Sequence, residues 1–241
     1  MQSGQDRSAP APYFSSAGLR IGARYALATA AGACAFALAF GTLAAQKGLS
    51  LVEATLMSAL VFAGASQLVA MEIWTTPMTP AVIVTLALVT GVVNLRLVLM
   101  GASFRPWLAA LPPAKVYPTL LLTTDSSWIM GIRHRAEGGA DASVLLGSGL
   151  TLWIFWVGST ALGYLFGGLI PDPRRFGLDL ILPIFFVAML VPLWRGPRRA
   201  IPWVIAGAVA LAVQATVPGF WFIVAGSLSG AIAGGFIDER K

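Results

Sequence analysis

The chain has 241 residues, of which 57% are hydrophobic and 11% are charged, and its formal net charge is +6. Soluble domains carry about twice this charged fraction, so the composition excludes an ordinary soluble domain and predicts a helical membrane protein. The alternating pattern of a membrane β-barrel is absent, no basic folded face suggests nucleic-acid binding, and a single cysteine excludes an intrachain disulfide.

The start of the chain is polar and rich in proline and alanine. This composition predicts a disordered cytoplasmic tail over residues 1–20. The apolar sequence that follows predicts a membrane domain over 21–237, and residues 238–241 are predicted to be a short cytoplasmic tail. About twenty consecutive apolar residues cross the hydrocarbon core of a bilayer. Such runs predict eight helices, over residues 22–45, 51–72, 80–101, 116–132, 143–170, 178–194, 200–217 and 219–236. The predicted fold is therefore all-α, a polytopic bundle of about eight transmembrane helices.

The second and sixth predicted helices begin alike. Ser50 is a typical N-cap residue, and Glu53 and Asp179 each lie in a first turn, where the helix dipole favours a carboxylate. Both helices follow a long helix and a short basic turn, which suggests a four-plus-four internal repeat, a plan common among transporters. The fourth run is shorter and more polar than the others, so a broken or re-entrant helix is an alternative to a full span.

The basic residues predict the orientation. With eight spans and the N-terminus inside, ten arginines and lysines fall in cytoplasmic segments. Five fall outside, namely Lys47, Arg105, Lys115, Arg174 and Arg175. Without a crossing at 116–132 this bias would reverse. The positive-inside rule therefore predicts a multi-pass protein with eight spans and both termini in the cytoplasm.

Polar groups within the apolar runs predict the functional site. A charged side chain at membrane depth is costly unless it is paired or lines a wet cavity, so Arg96 and Asp125 together indicate a polar path through the membrane. The second predicted helix also has four small residues and an amide in its middle, at Phe62 to Gln67, and small residues let a helix open or a neighbour approach closely. Ordinary helix packing is the alternative there.

The sequence allows more than one role for each of the two charged residues. The planar fork of donors on Arg96 matches a carboxylate, although the side chain could also extend to the lipid headgroups from a helix end. Asp125 could meet an ammonium group, carry a proton, or pair with Arg96 and hold two helices in register. The predicted binding residues are Gly64, Ala65, Ser66, Gln67, Asn94, Arg96, Thr124, Asp125 and Ser126. No catalytic constellation, metal-ligand cluster or nucleotide motif is present, so neither an enzyme nor a cofactor is expected.

Several of these strings resemble one family. Phe-Ala-Gly-Ala-Ser-Gln-Leu at 62–68 resembles the mid-helix motif of AzlC-type branched-chain amino acid exporters, and Asn-Leu-Arg at 94–96 looks like their second motif. Thr124 and Asp125 fall where the family has Thr-Asp-Glu, and Leu-Pro-Ile-Phe-Phe at 182–186 is similar to a further stretch. The likeness runs in order from about residue 18 to 236. Three positions depart from the pattern, with Leu97 for His, Met100 for Tyr and Ser126 for Glu.

The resemblance implies a secondary transporter of the bacterial inner (cytoplasmic) membrane that exports branched-chain or other small apolar amino acids. It also implies a small AzlD-type membrane protein as partner. Arg96 and an opened backbone at Gly64–Ser66 are then expected to hold the substrate carboxylate, and Asp125 with Thr124 and Ser126 the ammonium group or a coupled proton. An ion or small-solute channel and a non-transporting membrane scaffold remain as alternatives.

Overall fold

The computed structural model describes residues 12–167, 196–218 and 221–238, together with residues 180, 187, 191 and 194. These residues are helical throughout their regular structure, which confirms the predicted all-α class. The α-helices within the three continuous ranges are α1 (Ser16–Gln46), α2 (Leu51–Val61), α3 (Gly64–Ile73), α4 (Pro80–Ser103), α5 (Arg105–Leu108), α6 (Pro113–Leu121), α7 (Asp125–Ala136), α8 (Ser143–Gly167), α9 (Ile201–Thr216) and α10 (Trp221–Asp238).

Among the described residues, four helical segments are long and apolar enough to cross a membrane: α1, α4, α8 and Pro197–Thr216, which joins a 3₁₀ turn to α9. The predicted third, fifth, seventh and eighth helices are confirmed to within a few residues of their bounds. The first begins at Ser16 rather than at residue 22, because Ser15 caps it by accepting a hydrogen bond from the Gly18 N–H. The sixth predicted helix, with Asp179 and residues 182–186, lies outside the described residues.

The predicted second and fourth spans are each divided into two short helices. Phe62 and Ala63 separate α2 from α3, and Phe62 has left-handed backbone angles, with φ at 42°. Residues 122–124 separate α6 from α7. The count of eight uninterrupted spans is therefore not confirmed, because two of the eight are interrupted in their middle.

The structure forms two units, one of Met1–Met71 with Asn94–Pro171 and the other of Glu72–Val93 with Asp172–Lys241. In the first unit α1 and α8 run parallel. Gly22 packs against the backbone of α8 at Val144, and Gly41 packs against it at Thr160, leaving no room for a side chain at either glycine. A four-plus-four repeat requires its first and fifth helices to be parallel in this way, but the sixth predicted helix, which would correspond to the second, lies outside the described residues.

The first hairpin is α2–α3, and it starts at the end of the unit where α1 and α8 finish. Tyr164 Oη donates to the Leu49 carbonyl oxygen at 2.8 Å, just before α2. Gln67 Nε2 then donates to Ser58 Oγ at 3.1 Å. Nine residues along one straight helix would separate these positions by about 13.5 Å, so α3 turns back beside α2.

The second hairpin is α6–α7, and it starts and finishes at the opposite end, where α1 and α8 begin. Lys115 Nζ lies 5.3 Å from the ring centre of Phe14, which precedes α1. At the tip, the Leu122 carbonyl packs on Gly149, two turns into α8. From there α7 returns, so that Gly131 packs on Leu145. Residues 113–136 therefore enter and leave the unit at one end.

This hairpin corrects the predicted positions of two basic residues. Arg105 and Lys115 were expected on the side of the membrane opposite to the N-terminus. In the structure Lys115 lies over Phe14, and Trp107, two residues after Arg105, donates from Nε1 to the Ala140 carbonyl oxygen at 3.4 Å. The predicted side is wrong for both residues because the segment that follows them re-enters instead of crossing.

The second unit contains the packed pair α9 and α10. Gly226 lies against the backbone of Ala206 and against Ala210, and Gly230 lies against Ala206 as well. The glycines spaced by four residues in α10 thus serve close helix packing within the chain, as small residues do in membrane helices.

Candidate functional site

The tips of the two hairpins pack against neighbouring turns of α8, between residues 149 and 156. Phe62, at the first tip, belongs to a buried apolar cluster with Leu152 and Trp156 of α8. Leu122, at the second tip, packs against the same cluster. The two interruptions in the helices, which enter from opposite ends of the unit, therefore share one apolar contact surface.

A buried hydrogen-bond network holds the first tip. Trp156 Nε1 donates to Gln67 Oε1 at 3.1 Å, and Gln67 Nε2 donates to Ser58 Oγ. Ser58 Oγ is 2.7 Å from Thr160 Oγ1. The Trp156 ring also occupies the notch at Gly64, where a Cβ would overlap it. Gln67 and Gly64 therefore lie at the contact between α3 and α8, with the Gln67 amide engaged at both of its polar atoms.

Ser66 joins the first hairpin to α4. Its hydroxyl donates to the Ala63 carbonyl oxygen at 2.9 Å and accepts from Asn94 Nδ2 at 3.2 Å. Ala65, beside it, is buried. Two of the predicted binding residues, Ser66 and Asn94, are thus in direct contact, at the first turn of α3.

Arg96, one half-turn further along α4, forms an ion pair with the second hairpin. Its Nη1 lies 2.9 Å from Asp125 Oδ2, and the side chains are 30% and 26% exposed. Asp125 is the first residue of α7, where the helix dipole favours a carboxylate. Of the alternatives that the sequence left open for these residues, the pairing of Arg96 with Asp125 is confirmed.

Thr124 and Ser127 fix the start of α7. The Thr124 hydroxyl accepts from the Ser127 N–H, and Ser127 Oγ accepts from the Thr124 N–H at 2.8 Å, which forms a reciprocal cap. Ser126 lies between them and is half-buried. The hydroxyl groups around Asp125 therefore hold the tip of the second hairpin in shape, and Ser127 is a contributor that sequence reasoning missed.

Three buried polar atoms at these contacts have no partner within the described protein. They are Asn94 Oδ1, Arg96 Nε and Asp125 Oδ1. Leaving a buried donor or acceptor unpaired costs about 1–3 kcal/mol per group. Two of the atoms accept hydrogen bonds and one donates, so the site is suited to a small ligand that carries both a donor group and an acceptor group.

The second unit contains an apolar cavity of about 370 Å³, between the start of α4 and the start of α10. Thr75 and Thr85 are its polar lining residues, and Val89 and Trp221 are among the apolar ones. None of the predicted binding residues lines it. We therefore place the candidate site at the hairpin tips, where the unpaired polar atoms are, and not in this cavity.

Sequence reasoning also missed Ser58, Trp156 and Thr160. The two hydroxyl residues are fully buried in the middle of apolar helices, and this position was a signal that could have been noticed. Trp156 gave no such signal, because one tryptophan in an apolar helix is ordinary and only its contact with Gly64 and Gln67 distinguishes it.

Comparison with known proteins agrees with the resemblance in the motifs. A family model described as AzlC protein matches residues 28–170, a segment that contains both hairpins and α8. An uncharacterized membrane protein of Archaeoglobus fulgidus is 31% identical over 205 residues, which cover 84% of this chain and 88% of that protein. No solved structure matches the chain.

Proposed function

Because this chain belongs to the AzlC family of membrane proteins, we propose that it is a secondary transporter that exports branched-chain or other small apolar amino acids. It works in the inner membrane, beside a small AzlD-type subunit. The basic residues support an orientation with the start of α1 in the cytoplasm. Arg105 and Lys115 lie at that end with Arg133 and Arg135 of α7, and Lys47 lies at the other end.

The unpaired atoms at the hairpin tips carry this proposal. An amino acid zwitterion has an ammonium group with three donors and a carboxylate that accepts. Asn94 Oδ1 and Asp125 Oδ1 have free acceptor capacity for the ammonium group, and Arg96 Nε has a free donor for the carboxylate. Charge-assisted hydrogen bonds of this kind are about twice as strong as neutral ones.

The hairpins support transport rather than a static scaffold. Interrupted helices place polar groups and helix termini at the middle of a membrane protein, where transporters bind their substrates. Here one hairpin starts from each end of the unit, and both reverse at the middle of α8. Movement of the first hairpin would open the site to one side of the membrane, and movement of the second to the other.

Efflux from liposomes tests the function. The purified protein, alone and with a small AzlD-type subunit, is reconstituted in liposomes loaded with radiolabelled leucine. We expect saturable efflux that isoleucine and valine inhibit. Flux that rises linearly with leucine concentration would indicate a channel instead, and no leucine efflux from correctly folded protein with the subunit present would contradict the proposal.

A matched pair of variants locates the site. Arg96→Gln removes a charge that is paired at the tips, and Arg133→Gln removes the charge of an ion pair with Glu137 that is 2.8 Å long but largely exposed. We expect Arg96→Gln to lower efflux by about 10- to 100-fold, the equivalent of a lost hydrogen bond to a charged group. Arg133→Gln should leave efflux within about twofold, as for other surface ion pairs. Equal effects would remove Arg96 from the binding site.

A further inference from the structure

The apolar cluster where the hairpin tips meet lies close to the polar residues of the site. Ser66, which bonds to Asn94, is followed directly by Gln67, which bonds to Trp156 of the cluster. On the other side, Leu122, which packs against the cluster, precedes Asp125 by three residues. A small amino acid held by its charged groups at the polar residues therefore has its side chain within reach of the cluster.

Trp156 is the largest side chain of that cluster and contacts the first tip in two ways. It fills the notch at Gly64 and donates a hydrogen bond to Gln67. Leu152 lies one turn earlier on the same face of α8 and belongs to the same cluster. The wall opposite the two tips is thus formed by α8, and its depth is set by how far the Trp156 ring projects.

We propose that Trp156 determines which substrates are accepted, by forming the floor of the pocket that receives the substrate side chain when the hairpin tips part. The inference rests on the proposed function and adds the residue that sets substrate size. With the indole in place the pocket admits side chains of the size of leucine, isoleucine and valine, and it excludes a phenyl ring.

The packing gives this assignment its physical basis. Gly64 and Gln67 hold the indole from one side, so the ring cannot swing away to admit a longer side chain without breaking a buried hydrogen bond. Apolar pockets distinguish substrates that differ by one methylene by about 10- to 200-fold. Replacing an indole by a methyl group creates much more space than one methylene occupies.

The test measures the ratio of kcat/KM for phenylalanine to that for leucine in liposome efflux, for the wild type, Trp156→Ala and Leu152→Ala. We expect each variant to raise the ratio by about tenfold or more, with most of the change in the KM for phenylalanine. Trp156→Phe, which lacks the donor but keeps a ring, should raise it less. Trp128→Ala is the matched control, because Trp128 lies in α7 and bonds to Ser103 away from the cluster.

The outcomes separate this inference from the function on which it rests. If the wild type transports leucine and neither variant changes the ratio, the assignment of Trp156 is wrong and the exporter function stands. If Trp156→Ala does not fold, the ratio measured for Leu152→Ala tests the proposal by itself, because this variant opens the same pocket with a smaller loss of packing. If the wild type shows no saturable amino acid efflux, both proposals are overturned.

Discussion

Both hairpins reverse at the middle of α8, but the first is held there by neutral hydrogen bonds and the second by a charged pair. In the first, Gln67, Ser58 and Thr160 are fully buried and bond to one another. In the second, Asp125 is 26% exposed and keeps one oxygen unpaired. The first tip thus has its polar groups engaged, whereas the second tip retains capacity to bind a ligand.

This difference indicates that the two hairpins have different roles, one in stability and one in ligand binding. A fully satisfied buried network stabilises the packed arrangement of the first hairpin, and moving that hairpin costs free energy because each broken hydrogen bond leaves its partners unpaired. An ion pair whose remaining donor and acceptor atoms have no hydrogen-bond partner costs free energy until a ligand bonds to those atoms. We therefore expect substitutions in the first hairpin to act mainly on stability and those in the second to act mainly on transport.

The largest effect on stability is expected at Gly64. Gly64→Val places side-chain atoms where the Trp156 ring lies, and overpacking of this kind typically costs about 1–3 kcal/mol and occasionally more. Gly158→Val is the matched control, because Gly158 of α8 has open space at the position of a side chain. Thermal unfolding in detergent measures both. Similar melting temperatures would show that the first tip is not tightly packed.

The charged pair is tested by comparing single and double variants. Arg96→Met or Asp125→Leu alone leaves a partly buried charge unpaired, and we expect a loss of about 2 kcal/mol, below the 3–5 kcal/mol of fully buried pairs. The double variant should recover most of that stability but no leucine efflux. Recovery of efflux as well would show that the pair is structural, as in a scaffold.

A smaller effect is expected at two neutral amides, Gln67 of the first hairpin and Asn94 of α4, which bonds to that hairpin. Gln67→Leu removes the partner of Trp156 Nε1 and of Ser58 Oγ, and we expect a loss of about 1–2 kcal/mol in unfolding free energy. Asn94→Leu removes one hydrogen bond to Ser66 and an acceptor that is already unpaired. It should therefore cost less stability than Gln67→Leu and more transport, and the reverse order would contradict the placing of Asn94 in the binding site.

The sequence was informative where a pattern depends on neighbouring residues. Apolar runs predicted α4, α8 and α9 closely, and the predicted N-cap at Ser50 is confirmed, with Glu53 completing a capping box. Hydropathy did not predict the reversal of the first hairpin, because it measures the length of an apolar run and not its direction. For the second hairpin, a broken or re-entrant helix was the stated alternative, because the fourth run is shorter and more polar than the others. At Phe62 the usual signal was also missing, since glycine is the residue expected at a positive φ.

The sides of Arg105 and Lys115 were wrong for the same reason. Counting each apolar run as one crossing placed them opposite to the N-terminus, and a re-entrant segment restores them to its side. The sequence indicated which polar residues come together better than it indicated the topology. Polar residues within apolar runs are visible in the sequence itself, and these include Arg96, Asp125, Ser66 and Asn94. Trp156 became identifiable only from the structure, which places it on α8 against the first tip.

The smallest effect is expected at the end of the unit where the second hairpin is anchored. Asp141, which precedes α8, accepts from the Ser15 and Ser143 N–H groups and from both hydroxyls, joining the starts of α1 and α8. Burial raises the pKa of Asp141, but these hydrogen bonds lower it by more, so the pKa lies below its ordinary value.

A carboxylate with a depressed pKa stabilises the fold above the pKa it has in the unfolded chain, about 3.9, and this contribution is lost as the pH falls through the folded value. Asp141→Asn should therefore lower the melting temperature slightly at pH 6 and approach the wild type near pH 3. Efflux at pH 6 should change little, because Asp141 lies at the base of the second hairpin and not at its tip. A difference in stability that does not vary with pH would show that the hydroxyl bonds, and not the charge, join the two helices.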